Sequence, residues 1–199
     1  MAELKEGILV HPRIIVRRFP GIEHGPLSTV RAIVVHQTDA STAESTFQTY
    51  VRGPNGAHFL IDKGGLLFQT ARLDMQCWHV GHLIKSKCLE LRIEQCGDDK
   101  LASLLTLVGI KQFQAIDGHE RQKAYPARFP VNADSIGVEL VGRSLSSVRY
   151  EAVTLLQQDS LGWLVAELGL AFAIGARDVY RHPEVSYKNP GEARSAKWK

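Results

Sequence analysis

"RAIVVHQT", residues 31–38, is the stretch on which the fold turns. Ala32, Ile33, Val34 and Val35 form an apolar, largely β-branched run that stops at a polar cluster, so it reads as a buried strand ending at His36. Just beyond it, "STAE" (41–44) reads as a capping box, Ser41 with Glu44. It opens a helix with Ala43, Phe47, Tyr50 and Val51 on one face. "RGPNG" breaks that helix, and "AHFLIDKGGLLFQT" reads as a hairpin turning at Asp62 to Gly65.

Further out, "SIGVELVG" (135–142) reads as a central strand and "ARDVYRH" as a short last strand reaching His182. Residues 148–168 read as the longest helix, with Ala152, Leu155, Leu156, Trp163 and Ala166 towards the core and Gly169 as C-cap. Residues 83–131 are of mixed charge. There Leu101, Leu104, Leu105 and Val108 mark one short helix that Gly109 interrupts. The sum is α/β (mixed α+β), a central mixed sheet with helices packed on it, in one domain spanning 1–199 with an insertion at about 83–131.

Composition narrows the function classes. The 199 residues carry 24 Lys and Arg against 21 Asp and Glu, interleaved along the chain, so a net charge of +3 makes no nucleic-acid stripe. No apolar run approaches a membrane span, so no membrane insertion is expected. The N-terminus lacks an apolar stretch followed by a small-residue cleavage site, so it does not read as a secretory signal. Cys77, Cys88 and Cys96 cannot all pair within the chain and suggest no disulfide framework.

His11, His24 and His119 sit in polar or proline–glycine surroundings and read as surface residues. His36 and His182 each close a strand, and strand ends along one edge converge, so these two could meet on one ion. A catalytic zinc takes three protein ligands and leaves one position open, a need that two histidines and one anionic ligand would meet. "CWHVGH" (77–82) is a rival, but its spacing matches no closed zinc site, and Trp78 and His79 read better as a wall. Glu139 interrupts an apolar strand, so it is either neutralised by a fixed partner or placed beside something reactive.

"VVHQT", "AHFLIDKGG", "CWHVG", "SIGVELVG" and "RHPEVSYKNPGEA" occur in the order found in zinc-dependent N-acetylmuramoyl-L-alanine amidases, and the chain resembles that family. The family includes phage lysozyme-like amidases, muropeptide-recycling amidases and peptidoglycan recognition proteins. The resemblance implies a Zn2+ cofactor and cleavage of the amide between the muramoyl lactyl group and L-alanine. By motif it makes His36 and His182 zinc ligands, Glu139 the catalytic glutamate and Lys188 an oxyanion stabiliser, with His58, Trp78 and His79 lining the substrate groove. The family's third ligand is usually Cys or Asp, and this chain has neither there. Asn189 and Glu192 compete for that place, and charge favours Glu192. Ala57 stands where some relatives carry a catalytic tyrosine, so that role is left unassigned.

The expected partner is peptidoglycan or a muropeptide. "YPARFPVNADSIGVELVG" resembles a subgroup associated with contact-dependent antibacterial secretion, which implies action in the cell envelope or outside the cell and a cognate immunity protein. The alternatives are a cytoplasmic amidase recycling anhydro-muropeptides, and a peptidoglycan-binding module that has lost hydrolysis.

Overall fold

The computed structural model describes residues 1–92 and 97–198. Strands β1 (Glu3–Lys5), β2 (Ile8–Val10) and β3 (Ile14–Val16) lead to β4 (Ala32–Gln37) and helix α1 (Ala43–Arg52). Strands β5 (Phe59–Ile61) and β6 (Leu67–Gln69) precede helices α2 (Lys87–Glu90), α3 (Asp99–Leu104) and α4 (Ile110–Glu120). Then come β7 (Ser135–Leu140), β8 (Ser144–Ser146), β9 (Arg149–Tyr150), α5 (Leu155–Phe172), β10 (Val179–Arg181) and α6 (His182–Val185). Among the described residues no helix is long and apolar enough to cross a membrane.

The main sheet has the order β10-β4-β7-β5-β6-β3. Strands β10, β4, β7 and β5 run parallel, and β5 turns back antiparallel into β6. This is the mixed sheet expected, with "RAIVVHQT" and "SIGVELVG" at its centre. The β5–β6 turn is held by the Leu66 amide donating to Asp62 Oδ1 at 2.8 Å. Gly65 sits there at φ 84, where a Cβ would also lie 2.9 Å from the Leu156 carbonyl oxygen.

Alternation along the central strands sorts the two faces. Ile33, Val35, Ile136, Val138 and Leu140 join one core cluster with Leu161, Leu164 and Leu168 of α5. On the opposite face, Ala32 and Val34 pack with Val80, Ile84 and Phe129, while Leu60 packs with Phe47 and Tyr50 of α1. His36 and Glu139 belong to this second face by parity, and they are direct partners in the β4–β7 register.

Several local expectations are corrected. Helix α1 is capped by Thr42, whose side chain accepts from the Ser45 amide, rather than by Ser41, and Val51 is exposed. Helix α5 begins at Leu155 behind a Thr154–Gln157 capping box and runs to Phe172, with Ala173 rather than Gly169 as its C-cap. Leu155 and Leu156 lie in its first turn and are 83% and 60% exposed, because the core face is Gln157, Ser160, Leu161, Leu164 and Leu168. Ala152 and Ala166 are also exposed.

Between 83 and 131, Gly109 separates two helices where one was expected, and of the four apolar residues assigned to the first only Leu101 is fully buried. His119 is no surface residue: its side chain is 14% exposed, with Nε2 2.8 Å from Asp98 Oδ2. Cys88 is disulfide-bonded, against the expectation, while Cys77 is a free, buried thiol. Cys96 lies outside the described residues.

Candidate active site

Parallel pairing places His36 beside Glu139 near the carboxyl ends of their strands, the edge where open α/β sheets bind ligands. On the other side of β4, Arg181 pairs with Val35, so His182, one residue on, arrives next to His36. The two imidazole centroids lie 4.2 Å apart. Glu192 comes from the C-terminal loop, which Gln37 docks: the Gln37 Oε1 accepts from the Ala193 amide at 3.1 Å, and the Gln37 backbone N–H donates to Glu192 Oε1 at 3.3 Å.

His36, His182 and Glu192 are all buried, with one ligand atom from each within 4.8 Å of the others. Glu192 Oε1 is 2.9 Å from His182 Nδ1 and 3.5 Å from His36 Nδ1. The Asn189 side chain points elsewhere, donating to the Ser146 carbonyl at 2.9 Å and accepting from the Gly191 amide at 2.9 Å. The structure therefore brings Glu192, and not Asn189, to the two histidines.

The electrostatics suit a cation. Burial raises the Glu192 carboxyl, but its hydrogen bonds to His182 and His36 win and take it down to about 2. Burial and repulsion from His182 lower His36 to about 4, leaving a neutral ring with a free lone pair near neutral pH. His182 Nε2 faces the Val80 carbonyl at 3.0 Å, an acceptor only, so Nε2 carries a hydrogen and Nδ1 is the nitrogen turned towards Glu192. A carboxylate facing two ring nitrogens needs a positive centre among them, a proton or a metal ion. Imidazole nitrogen and carboxylate oxygen are the donor set that zinc accepts.

Glu139 sits beside this cluster. Burial pushes it up, the Tyr50 hydroxyl opposes that, and the charge of Glu192 adds to it, bringing the carboxyl to about 7. Tyr50 donates to Glu139 Oε2 at 2.6 Å and so leaves Oε1 available to a substrate. Sequence reasoning placed Tyr50 only on the core face of α1. Its one signal was a phenol in an otherwise apolar helix face, and buried tyrosines commonly find a partner for their hydroxyl.

These groups open into a cleft of about 860 Å³ that Trp78, Arg121, Asn132 and Lys188 also line. Lys188 lies over Gly81, where a Cβ would meet its Cε at 3.3 Å and His182 Nε2 at 4.0 Å. Trp78 is 45% exposed and stacks on His24 with centroids 3.8 Å apart. His58 does not line the groove: it is fully buried, with Nε2 2.9 Å from the Met75 carbonyl and Nδ1 accepting from the Gly137 amide at 3.0 Å. It joins strands instead. His79 borders the cleft floor, but its nitrogens face His36 and Ser135, so it is no free substrate contact.

A basic carboxylate beside a buried cluster able to hold a cation, in an open cleft at strand ends, defines a hydrolase-type centre. The family model of the N-acetylmuramoyl-L-alanine amidases (Amidase_2) matches residues 26–195, and the chain belongs to that family.

Solved structures of similar fold include a selenomethionine AmpD derivative, at TM-score 0.58 and 20% identity, covering 98% of this chain and 95% of that one. Another is the N-acetylmuramoyl-L-alanine amidase LysC from Clostridium intestinale URNW, at TM-score 0.50 and 19% identity, covering 89% and 87%. A third is AmpDH3 from Pseudomonas aeruginosa in complex with anhydromuramic pentapeptide, at TM-score 0.51 and 16% identity, covering 78% and 51%. No curated protein matches the chain.

Proposed function

We propose that this chain is a zinc-dependent peptidoglycan amidase that cleaves the bond between the muramoyl lactyl carbonyl and L-alanine. The observation that carries the reading is the buried convergence of His36 Nδ1, His182 Nδ1 and Glu192 Oε1 beside a raised glutamate. These three residues would hold the ion. When bound, zinc would supply Lewis acidity there, acidifying water and polarising a carbonyl.

The chain's own groups do the rest. Glu139 Oε1 takes the proton of the attacking water and returns it to the leaving amine, with Oε2 fixed by Tyr50. Lys188, on the cleft wall, offers its ammonium to the charge that develops on the carbonyl oxygen. Trp78 offers an apolar platform for a sugar ring or peptide, and the anhydromuramic pentapeptide held by AmpDH3 supports a substrate of this chemistry. The disulfide at Cys88 supports work in an oxidising compartment such as the cell envelope, since cytosolic thiols are kept reduced.

The test is metal analysis coupled to a muropeptide digest. Purified protein should contain about one zinc per chain and release free L-alanine amino termini from sacculi. Chelation should stop the release and zinc should restore it. Undiminished cleavage by metal-free protein would overturn the reading.

A further inference from the structure

We infer that one short segment, His79–Val80, pinned by Asn132, sets the tautomers of both histidines, so that each turns Nδ1 to the site. This rests on the zinc reading of that site. The direction of each hydrogen follows from the partners. The Ser135 hydroxyl donates to the Val131 carbonyl at 2.7 Å, so towards His79 its oxygen is an acceptor. His79 Nε2 lies 3.3 Å from that oxygen and 3.4 Å from the Ser135 carbonyl, so Nε2 carries the hydrogen. Buried and bonded through its nitrogens to His36 and Ser135 alone, the His79 ring has no carboxylate against it to hold a second proton, so its Nδ1 is an acceptor. His36 Nε2, 3.0 Å away, therefore donates to it, and His36 Nδ1 is left to face Glu192.

The next residue does the same for the second histidine, because the Val80 carbonyl accepts from His182 Nε2 at 3.0 Å. Asn132 holds the segment by accepting both amides through Oδ1, from His79 at 3.0 Å and from Val80 at 2.8 Å. Gly137 makes room for the ring, since a Cβ there would lie 2.7 Å from His79 Cγ. His79 and Asn132 are positioning residues: neither supplies a ligand atom to the His36–His182–Glu192 cluster. Outer hydrogen-bond partners of this kind typically change metal affinity by about 10- to 100-fold.

The experiment compares the wild type with His79→Phe, His79→Asn and Asn132→Ala, each checked for folding by circular dichroism. Zinc affinity is measured by chelator competition, and the histidine tautomers of the metal-free proteins by nitrogen-15 NMR. His36 and His182 should both be Nε2–H in the wild type. His79→Phe should weaken zinc by about 10- to 100-fold and free the His36 tautomer, and His79→Asn, whose Oδ1 can accept like Nδ1, should restore much of both. Asn132→Ala, which removes the acceptor of the His79 and Val80 backbone amides, should weaken zinc and shift both histidines. Wild-type affinity in folded His79→Phe and Asn132→Ala, or an Nδ1–H tautomer at His36 in the wild type, would overturn the inference. A wild type that binds no zinc but shows both Nε2–H tautomers, lost in the variants, would sink the zinc reading and leave the positioning role standing.

Discussion

At the scale of the residue, the sharpest division is between Glu192 and Asn189. Glu192→Ala, like His36→Ala and His182→Ala, should lower zinc affinity by more than about 100-fold, beyond the usual effect of an outer partner. Asn189→Ala should leave it near wild type, because that side chain is tied to Ser146 and Gly191. Chelator competition decides, and the reverse order would make Asn189 the third ligand in place of Glu192. Glu139→Gln should keep zinc and the Tyr50 contact yet lose about two to four powers of ten in turnover.

The same residue carries a pH signature in metal-free protein. Its carboxyl stands at about 7 when folded against a model value of 4.5. Between those values the unfolded chain has lost a proton that the native chain keeps, so this group's contribution to stability falls as pH rises. The His36, His58 and His79 rings are lowered and act in the opposite sense, so the test is the difference from Glu139→Gln. Under chelation, denaturant midpoints should favour the variant at pH 8 and converge with the wild type near pH 4.5. A constant difference across that range would show that Glu139 is not held protonated.

At the scale of the element, helix α5 covers one face of the sheet and depends on its first turn. Thr154 accepts from the Gln157 amide and donates to the Lys63 carbonyl at 2.9 Å, tying the helix start to the β5–β6 turn. Thr154→Ala should cost about 1–2 kcal/mol, a fall in Tm of roughly 2–8 °C for a chain of this size, with zinc binding unchanged. Calorimetry checks the first and chelator competition the second. The central strands were legible because β-branched runs between turn signals have few other readings. The boundaries of α5 were not, because its apolar residues surround the helix. Leu155 and Leu156 look like core until the sheet shows which side is covered.

At the scale of the whole molecule, the proposed peptidoglycan substrate and an oxidised Cys88 predict that location controls toxicity. Expression in a bacterial host should be harmless without an added signal sequence and lytic with one, read as loss of culture density. Harmless export with efficient cleavage of soluble anhydro-muropeptides would instead favour recycling. By itself the sequence determined the sheet's central strands, the family, and His36, His182 and Glu139 as candidates, because periodicity and ordered motifs are local properties of the chain. Only the tertiary structure decided that Glu192 completes the cluster, that Tyr50 orients Glu139, that His58 is a strut, and that His79 stands behind His36. Each of those roles depends on which atom of a side chain faces which distant partner. That is set by parallel strand register and loop docking between distant residues, such as Gln37 and Glu192, 155 positions apart, and spacing along the chain does not encode it.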